Sequence, residues 1–348
     1  MNEELNEREK NILRSVIQQF ILTATPVGSR NITKKYEIGL SPATVRNIMA
    51  DLEESGFIDH PHTSAGRIPT DKGYRFYVDS LIDIQKVRNS EKAYINKTLD
   101  EVTEMDELFK IASGLLSRIT KQIACVTYPN LDSAILEKIQ LVSLTSSRIL
   151  VVMSIKSGLV KTITLEIDSE VKPSQLDFVQ NILNERLSTL TFSEIRTSFF
   201  ERFKDISDDE TSIIRVFTDS VDKIFKDEKS IDQLYITGAK NIVKQPEFED
   251  PEKFKGVIEL IEDKNVIVHI FEKSGETIPN EVFISIGSEN KDQKLKEYSF
   301  VTKEYQFGET SGTLGIVGPK RMEYSKVIAI VDYMAKMLSQ FLTNSNIK

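Results

Sequence analysis

The sequence predicts an α+β protein of several domains that opens with a compact, mostly helical module. Three observations predict it. The first 80 or so residues run helix, helix, turn, helix, strand, loop, strand by apolar periodicity and by Gly/Pro punctuation. Residues 139–167 and 282–317 form two separate β-rich groups. A mostly helical block lies between those groups, so one α+β domain carrying another inserted in it is the simplest arrangement. At 348 residues, two or three domains of about 100–200 residues each are expected.

The elements follow in chain order. Ile12, Leu13, Val16, Ile17, Phe20 and Ile21 recur at helical spacing, and Asn6 with Glu9 forms a capping pair before them. Pro26 and Gly28 end that helix. A short helix starts at Ser29 and runs to about Tyr36, with Gly39 at its exit. The third helix has Ser41 as N-cap, Pro42 at its first position, an apolar face of Val45, Ile48, Met49 and Leu52, and Gly56 past its end. Phe57 to His60 reads as a short strand, Pro61 to Gly66 as a loop, and Arg67–Ile68 as the returning strand. That order is the layout of a winged helix-turn-helix, assigned to 1–80.

Residues 79–122 read as helical, and 81–122 are assigned to a linker helix region. Strands are expected at 139–144, 149–155 and 160–167, with a tight turn at Lys156-Ser157-Gly158. Helical faces follow at Leu176–Leu187 and Ile214–Phe225. Residues 234–271 are mixed, and 265–271 reads equally as a strand or a helix end. Strands return at 282–286, 298–307 and 313–317, before a terminal helix carrying Val327 through Phe341. The discontinuous domain is therefore assigned to 123–169 and 273–348, and the inserted one to 170–272.

Composition narrows the function classes. The net charge is −8, but it is unevenly spread. Residues 30–50 hold Arg30, Lys34, Lys35 and Arg46 against Glu37, and residues 61–75 hold Arg67, Lys72 and Arg75 against Asp71. A basic patch on an acidic body still meets phosphates, because salt screens charges beyond about 8–10 Å. The single cysteine, Cys125, allows no internal disulfide and no thiolate metal cluster within one chain, which suits the cytosol. The acidic start lacks a signal-peptide pattern, and no run approaches the roughly 18 apolar residues of a membrane span. A cytoplasmic protein with no membrane partner is expected.

Each candidate site also admits a plainer reading. On the third helix Ala43, Thr44, Arg46, Asn47 and Ala50 fall outside the apolar face. Arg pairs with guanine and Asn with adenine through two hydrogen bonds each. A solvated face or a protein-binding surface fits the same spacing equally well. The loop with His62, Thr63, Ser64 and Arg67 offers hydroxyls and a cation to phosphates, or is simply a hairpin tip. His60 and His62 lack the companions of a metal site, so no metal is expected. Gly308 to Lys320 lacks the ending of a phosphate loop, and no catalytic constellation stands out. No enzyme activity and no cofactor are expected.

Several runs carry a family resemblance. Pro26-Val27-Gly28-Ser29-Arg30, Gly39-Leu40-Ser41-Pro42-Ala43-Thr44-Val45-Arg46-Asn47, Pro61 to Arg67, Pro69-Thr70, Lys72-Gly73-Tyr74-Arg75, and Gly312 to Pro319 with Arg321-Met322 resemble the HrcA family of heat-inducible transcription repressors. The resemblance implies a winged helix, a GAF-like domain and an inserted dimerisation domain. It implies a homodimer on double-stranded DNA at an inverted-repeat operator called CIRCE, with the GroEL chaperonin as modulator. Mapped onto this chain, Arg46 and Asn47 would read bases, with Ala43 allowing close approach, and Ser29, Arg30, Ser41 and Thr44 would position the helices. His62, Thr63, Ser64 and Arg67 would form the wing contact, and Lys72, Tyr74 and Arg75 would hold the flanking backbone. A repressor switched instead by a small ligand of the GAF-like domain is the alternative.

Overall fold

The computed structural model describes residues 5–61, 66–167, 172–206, 211–226, 234–277 and 281–344. The chain opens with α1 (Glu7–Thr23), α2 (Ser29–Lys35) and α3 (Pro42–Glu54), then the strands β1 (Ile58–Asp59) and β2 (Ile68–Pro69). The Asn6–Glu9 capping box forms as expected. Ile12, Leu13, Val16, Ile17, Val45, Met49 and Leu52 are all buried together, so the two apolar stripes read from the sequence do face each other. The strands pair antiparallel through Ile58↔Pro69 and Asp59↔Ile68.

The expected continuous helix over 79–122 does not form. Helix α4 (Asp71–Phe76) comes first, capped by the Thr70 side chain, and runs into a π-helical turn at Tyr77–Leu81. An extended strap at 82–88 follows, then α5 (Asn89–Asp100) and α6 (Met105–Thr120). The strap is pinned rather than coiled: Ser325 Oγ accepts from the Gln85 amide and donates to the Asp83 carbonyl. Tertiary hydrogen bonds replace the helical ones that local propensity favours.

The rest of the chain comprises β3 (Ile123–Thr127), β4 (Leu136–Thr145), β5 (Arg148–Ile155), β6 (Val160–Glu166), α7 (Pro173–Leu187), α8 (Phe192–Phe203), α9 (Thr211–Asp219), α10 (Val221–Phe225), β7 (Leu234–Thr237), α11 (Ala239–Ile242), α12 (Pro251–Glu262), α13 (Lys264–Thr277), β8 (Phe283–Ile286), β9 (Tyr298–Phe307), β10 (Thr310–Pro319) and α14 (Tyr324–Asn344). The undecided run 265–271 is helical. Five strands pair antiparallel in the order β7-β3-β10-β9-β8. Alternate residues of β3 go to opposite sides, as a strand's period of two requires. Ala124 and Val126 join the core under α6 and α14, while Ile123 and Cys125 join a second core under α12 and α13.

β4, β5 and β6 form a separate antiparallel sheet. Its inner face, with Ile139, Val151, Met153 and Leu165, is buried with Leu183, Phe192, Phe199 and Phe225. The strands at 136–166 therefore pair apart from those at 283–319, whereas the sequence reading put 123–169 and 273–348 into one domain. Likewise β7, read as part of the insert, completes the five-stranded sheet. Periodicity reports that a strand has a buried face but not which sheet supplies the partner.

Candidate nucleic-acid interface

Helix α3 is built to present one face outward. The Ser41 side chain accepts the Thr44 amide at 3.1 Å and lies 2.9 Å from the Thr44 hydroxyl, so both hydroxyls fix the helix start. With Val45, Met49 and Leu52 buried, Ala43, Thr44, Arg46, Asn47 and Ala50 are all exposed on the far side. Thirteen residues make a rod about 20 Å long and about 10–12 Å across, and that diameter matches a major groove about 12 Å wide. The two small alanines and the donor-bearing Arg46 and Asn47, at i, i+3, i+4 and i+7, share this exposed face. Arg30, Lys34 and Lys35 on α2 are exposed, and Ser29 is half-buried at the helix start. The sequence-predicted residues of α2 and α3 are thus solvent-facing, apart from the half-buried Ser29, on two helices that pack against each other.

The wing region departs from expectation. His62, Thr63 and Ser64 lie outside the described residues. Arg67 is half-buried; its backbone bridges Val27 in both directions, and its Nε donates to Glu53 Oε2 at 2.7 Å. The other Glu53 oxygen lies 2.5 Å from His60 Nδ1. Glu53 therefore ties the end of α3 to both strands of the hairpin. Glu53, Asp59 and His60 bring ligand atoms within 4.8 Å of one another, but Arg67 and His60 already take up the Glu53 carboxylate. Gly66 has a tight structural role, since a Cβ there would lie 2.6 Å from the Pro26 carbonyl carbon.

Two residues expected to hold DNA backbone do something else. Tyr74 is 2% exposed and its ring lies 6.0 Å from that of Tyr324. Burial pushes its phenol well above the ordinary range. Arg75 donates to Glu289 at 2.7 and 2.5 Å, to the Ile284 carbonyl at 2.7 Å and to Asp79 at 3.2 Å. Its hydrogen bonds to Glu289 raise its pKa above the ordinary guanidinium value. Lys72 stays exposed, but its ammonium donates to the Ser55 carbonyl at 2.8 Å and sits 4.4 Å from the centroid of the Phe57 ring. Gly73 is obligatory for the same packing, because a Cβ there would collide with the Phe57 carbonyl oxygen.

These residues belong to a latch that the sequence reading missed. Asp71 accepts the Ser288 amide at 2.8 Å and pairs with Lys320 at 2.9 Å. Partial burial pushes the Asp71 carboxyl up, but the Ser288 amide and the Lys320 ammonium outweigh it and hold the pKa below the usual value. Arg321 donates to the Ile21 carbonyl at the end of α1 at 2.6 Å, to Gln245 at 3.0 Å and to Glu247. The signal was present: the runs Lys72-Gly73-Tyr74-Arg75 and Lys320-Arg321-Met322 are dense in charge and far apart in the chain. Both runs are cationic, and their partners, Glu289 for Arg75 and Asp71 for Lys320, lie about 210–250 positions away, so the pairing needs the fold.

A family profile described as "HrcA protein C terminal domain" matches residues 106–328. A protein of Chlorobium phaeobacteroides named "Heat-inducible transcription repressor HrcA" is 43% identical over 352 residues, covering 99% of this chain and 100% of that one. A protein of the same name from Prosthecochloris aestuarii is also 43% identical, covering 99% of each chain. A solved structure described only as a hypothetical protein superposes with a TM-score of 0.58 at 22% identity, covering 98% of this chain and 99% of its own. That likeness concerns the fold alone.

Proposed function

Because the chain belongs to the HrcA family of heat-inducible transcription repressors, we propose that it represses by laying α3 in the major groove of an inverted-repeat operator. It is a transcription repressor and not an enzyme. The observation that carries the reading is the exposed set Ala43, Thr44, Arg46 and Asn47, on a helix whose opposite face buries Val45, Met49 and Leu52 and which packs against the cation-bearing α2. Arg46 and Asn47 read base edges. Arg30 and Lys72, with the Ser29, Ser41 and Thr44 hydroxyls, approach phosphates, and His62, Thr63 and Ser64 contact the flanking groove. Arg67 anchors the wing through Glu53. Tyr74, buried, and Arg75, paired with Glu289, hold the fold and make no DNA contact in this reading.

The remaining architecture is read in the same way. Residues 1–81 form the winged helix, and the five-stranded sheet with helices on both faces is the GAF-like domain. The excursion 128–233 is the inserted unit, since the chain leaves the sheet after β3 and rejoins it at β7. Dimerisation is assigned to this unit on the family resemblance; the apolar residues Val142, Leu144 and Val160 of its sheet are 46%, 51% and 61% exposed. A two-fold dimer then matches a two-fold operator. GroEL availability sets how much repressor is active, in the cytoplasm. Among the described residues no helix is long and apolar enough to cross a membrane.

The test is a fluorescence titration of the purified chain on the inverted repeat and on scrambled DNA, at several salt concentrations and temperatures, with and without GroEL. Operator affinity exceeding scrambled-sequence affinity by at least about 10³, and strengthened by GroEL, is expected. Equal affinity for both DNAs would refute operator recognition.

A further inference from the structure

A cleft of about 820 Å³ opens where the strap meets the body. That volume lies within the range of small-molecule sites, about 300–1,000 Å³. Its apolar lining comes mainly from the strap with Ile82 and Ile84, the sheet edge at β8 with Ile284, and α14 with Ile328 and Tyr333. Ile84 is 58% exposed, so the apolar wall is unfinished by the chain itself.

The floor is polar and built. The Lys303 side chain is only 9% exposed, and its ammonium lies 2.5 Å from Asp332 Oδ1. Lys336 reaches the other Asp332 oxygen at 2.6 Å. One carboxylate thus serves two ammoniums. The Lys92 ammonium stands 5.4 Å from the Tyr333 ring centroid. Counting every charged lining residue, Lys86, Lys92, Lys303 and Lys336 face Asp79, Glu281 and Asp332; Arg75, which donates to Asp79, is itself balanced by Glu289. One positive charge is left in surplus.

We propose that this cleft binds an amphipathic monoanion, an apolar chain or ring bearing a single carboxylate. The apolar part completes the wall of Ile82, Ile84 and Ile328. The carboxylate sits between Lys92 and Lys336, beside the Lys303–Asp332 pair. A dianion would exceed the surplus charge, and a neutral lipid would leave the lysines unused. The inference concerns binding at the joint and stands whether or not α3 contacts DNA.

Calorimetric titration of the full chain with decanoate, below its aggregation concentration, tests it against decanol. Saturable binding at one site per chain is expected, tighter for decanoate by about tenfold, the worth of one charge-assisted hydrogen bond. Lys336→Gln should bring decanoate down to the decanol level, and Ile84→Asp should weaken both. Both side chains are exposed, so the fold should survive, which circular dichroism checks. Absence of saturable binding, decanol binding as tightly as decanoate, or decanoate affinity unmoved by both substitutions would overturn the proposal.

Discussion

At the scale of single residues, exposure separates reading from holding. Arg46 and Asn47 are exposed on α3, whereas Arg67 and Arg75 spend their guanidinium groups on Glu53 and Glu289. The sequence treats these arginines alike, because residue type and local charge say nothing of a carboxylate 14 or 214 positions away. Glycines behave likewise. Gly73 reads as a motif position, and only the fold reveals the Phe57 carbonyl packed against it. Gly73→Ala should cost about 1–3 kcal/mol of stability through overpacking, measured by urea denaturation. An unchanged midpoint would mean that the β1–α4 contact relaxes freely.

At the scale of elements, α1 and α3 were legible almost to the residue. Their stripes have the helical period, and their ends carry strong caps, Asn6 with Glu9 and Ser41 with Pro42. Segment 79–122 was not, because its helix-favouring composition is overruled by hydrogen bonds from Ser325 in another part of the chain. The cap at Ser41 also constrains how DNA experiments are interpreted. Ser41→Ala should lose about 1 kcal/mol of stability by removing the bond to the Thr44 amide, before any phosphate contact is considered. Thermal melts of the free protein measure that part, and only loss of operator affinity beyond it belongs to DNA.

At the scale of the whole molecule, the N-terminal helical module is latched to the acidic body by Arg75–Glu289, Asp71–Lys320 and Arg321 on the Ile21 carbonyl. A double-mutant cycle of Arg75→Ala and Glu289→Ala should give a coupling above about 0.5 kcal/mol, since both partners are only about one-third exposed. The latch should also respond to acid. The folded-state pKa of Asp71 is lowered, so its contribution is present above the unfolded value of about 4 and is lost as pH falls through the folded value. The stability gap between wild type and Asp71→Asn should therefore shrink between about pH 5 and pH 3; a constant gap would exclude the pairing. The central claim, that α3 reads operator sequence, is tested most directly by titrating Arg46→Ala on the inverted repeat and on scrambled DNA across salt. The expected result is a loss of about 1–3 kcal/mol on the operator and relaxed preference at one base position, with scrambled-DNA affinity nearly unchanged. Equal loss on both DNAs would contradict it and reduce Arg46 to a phosphate contact.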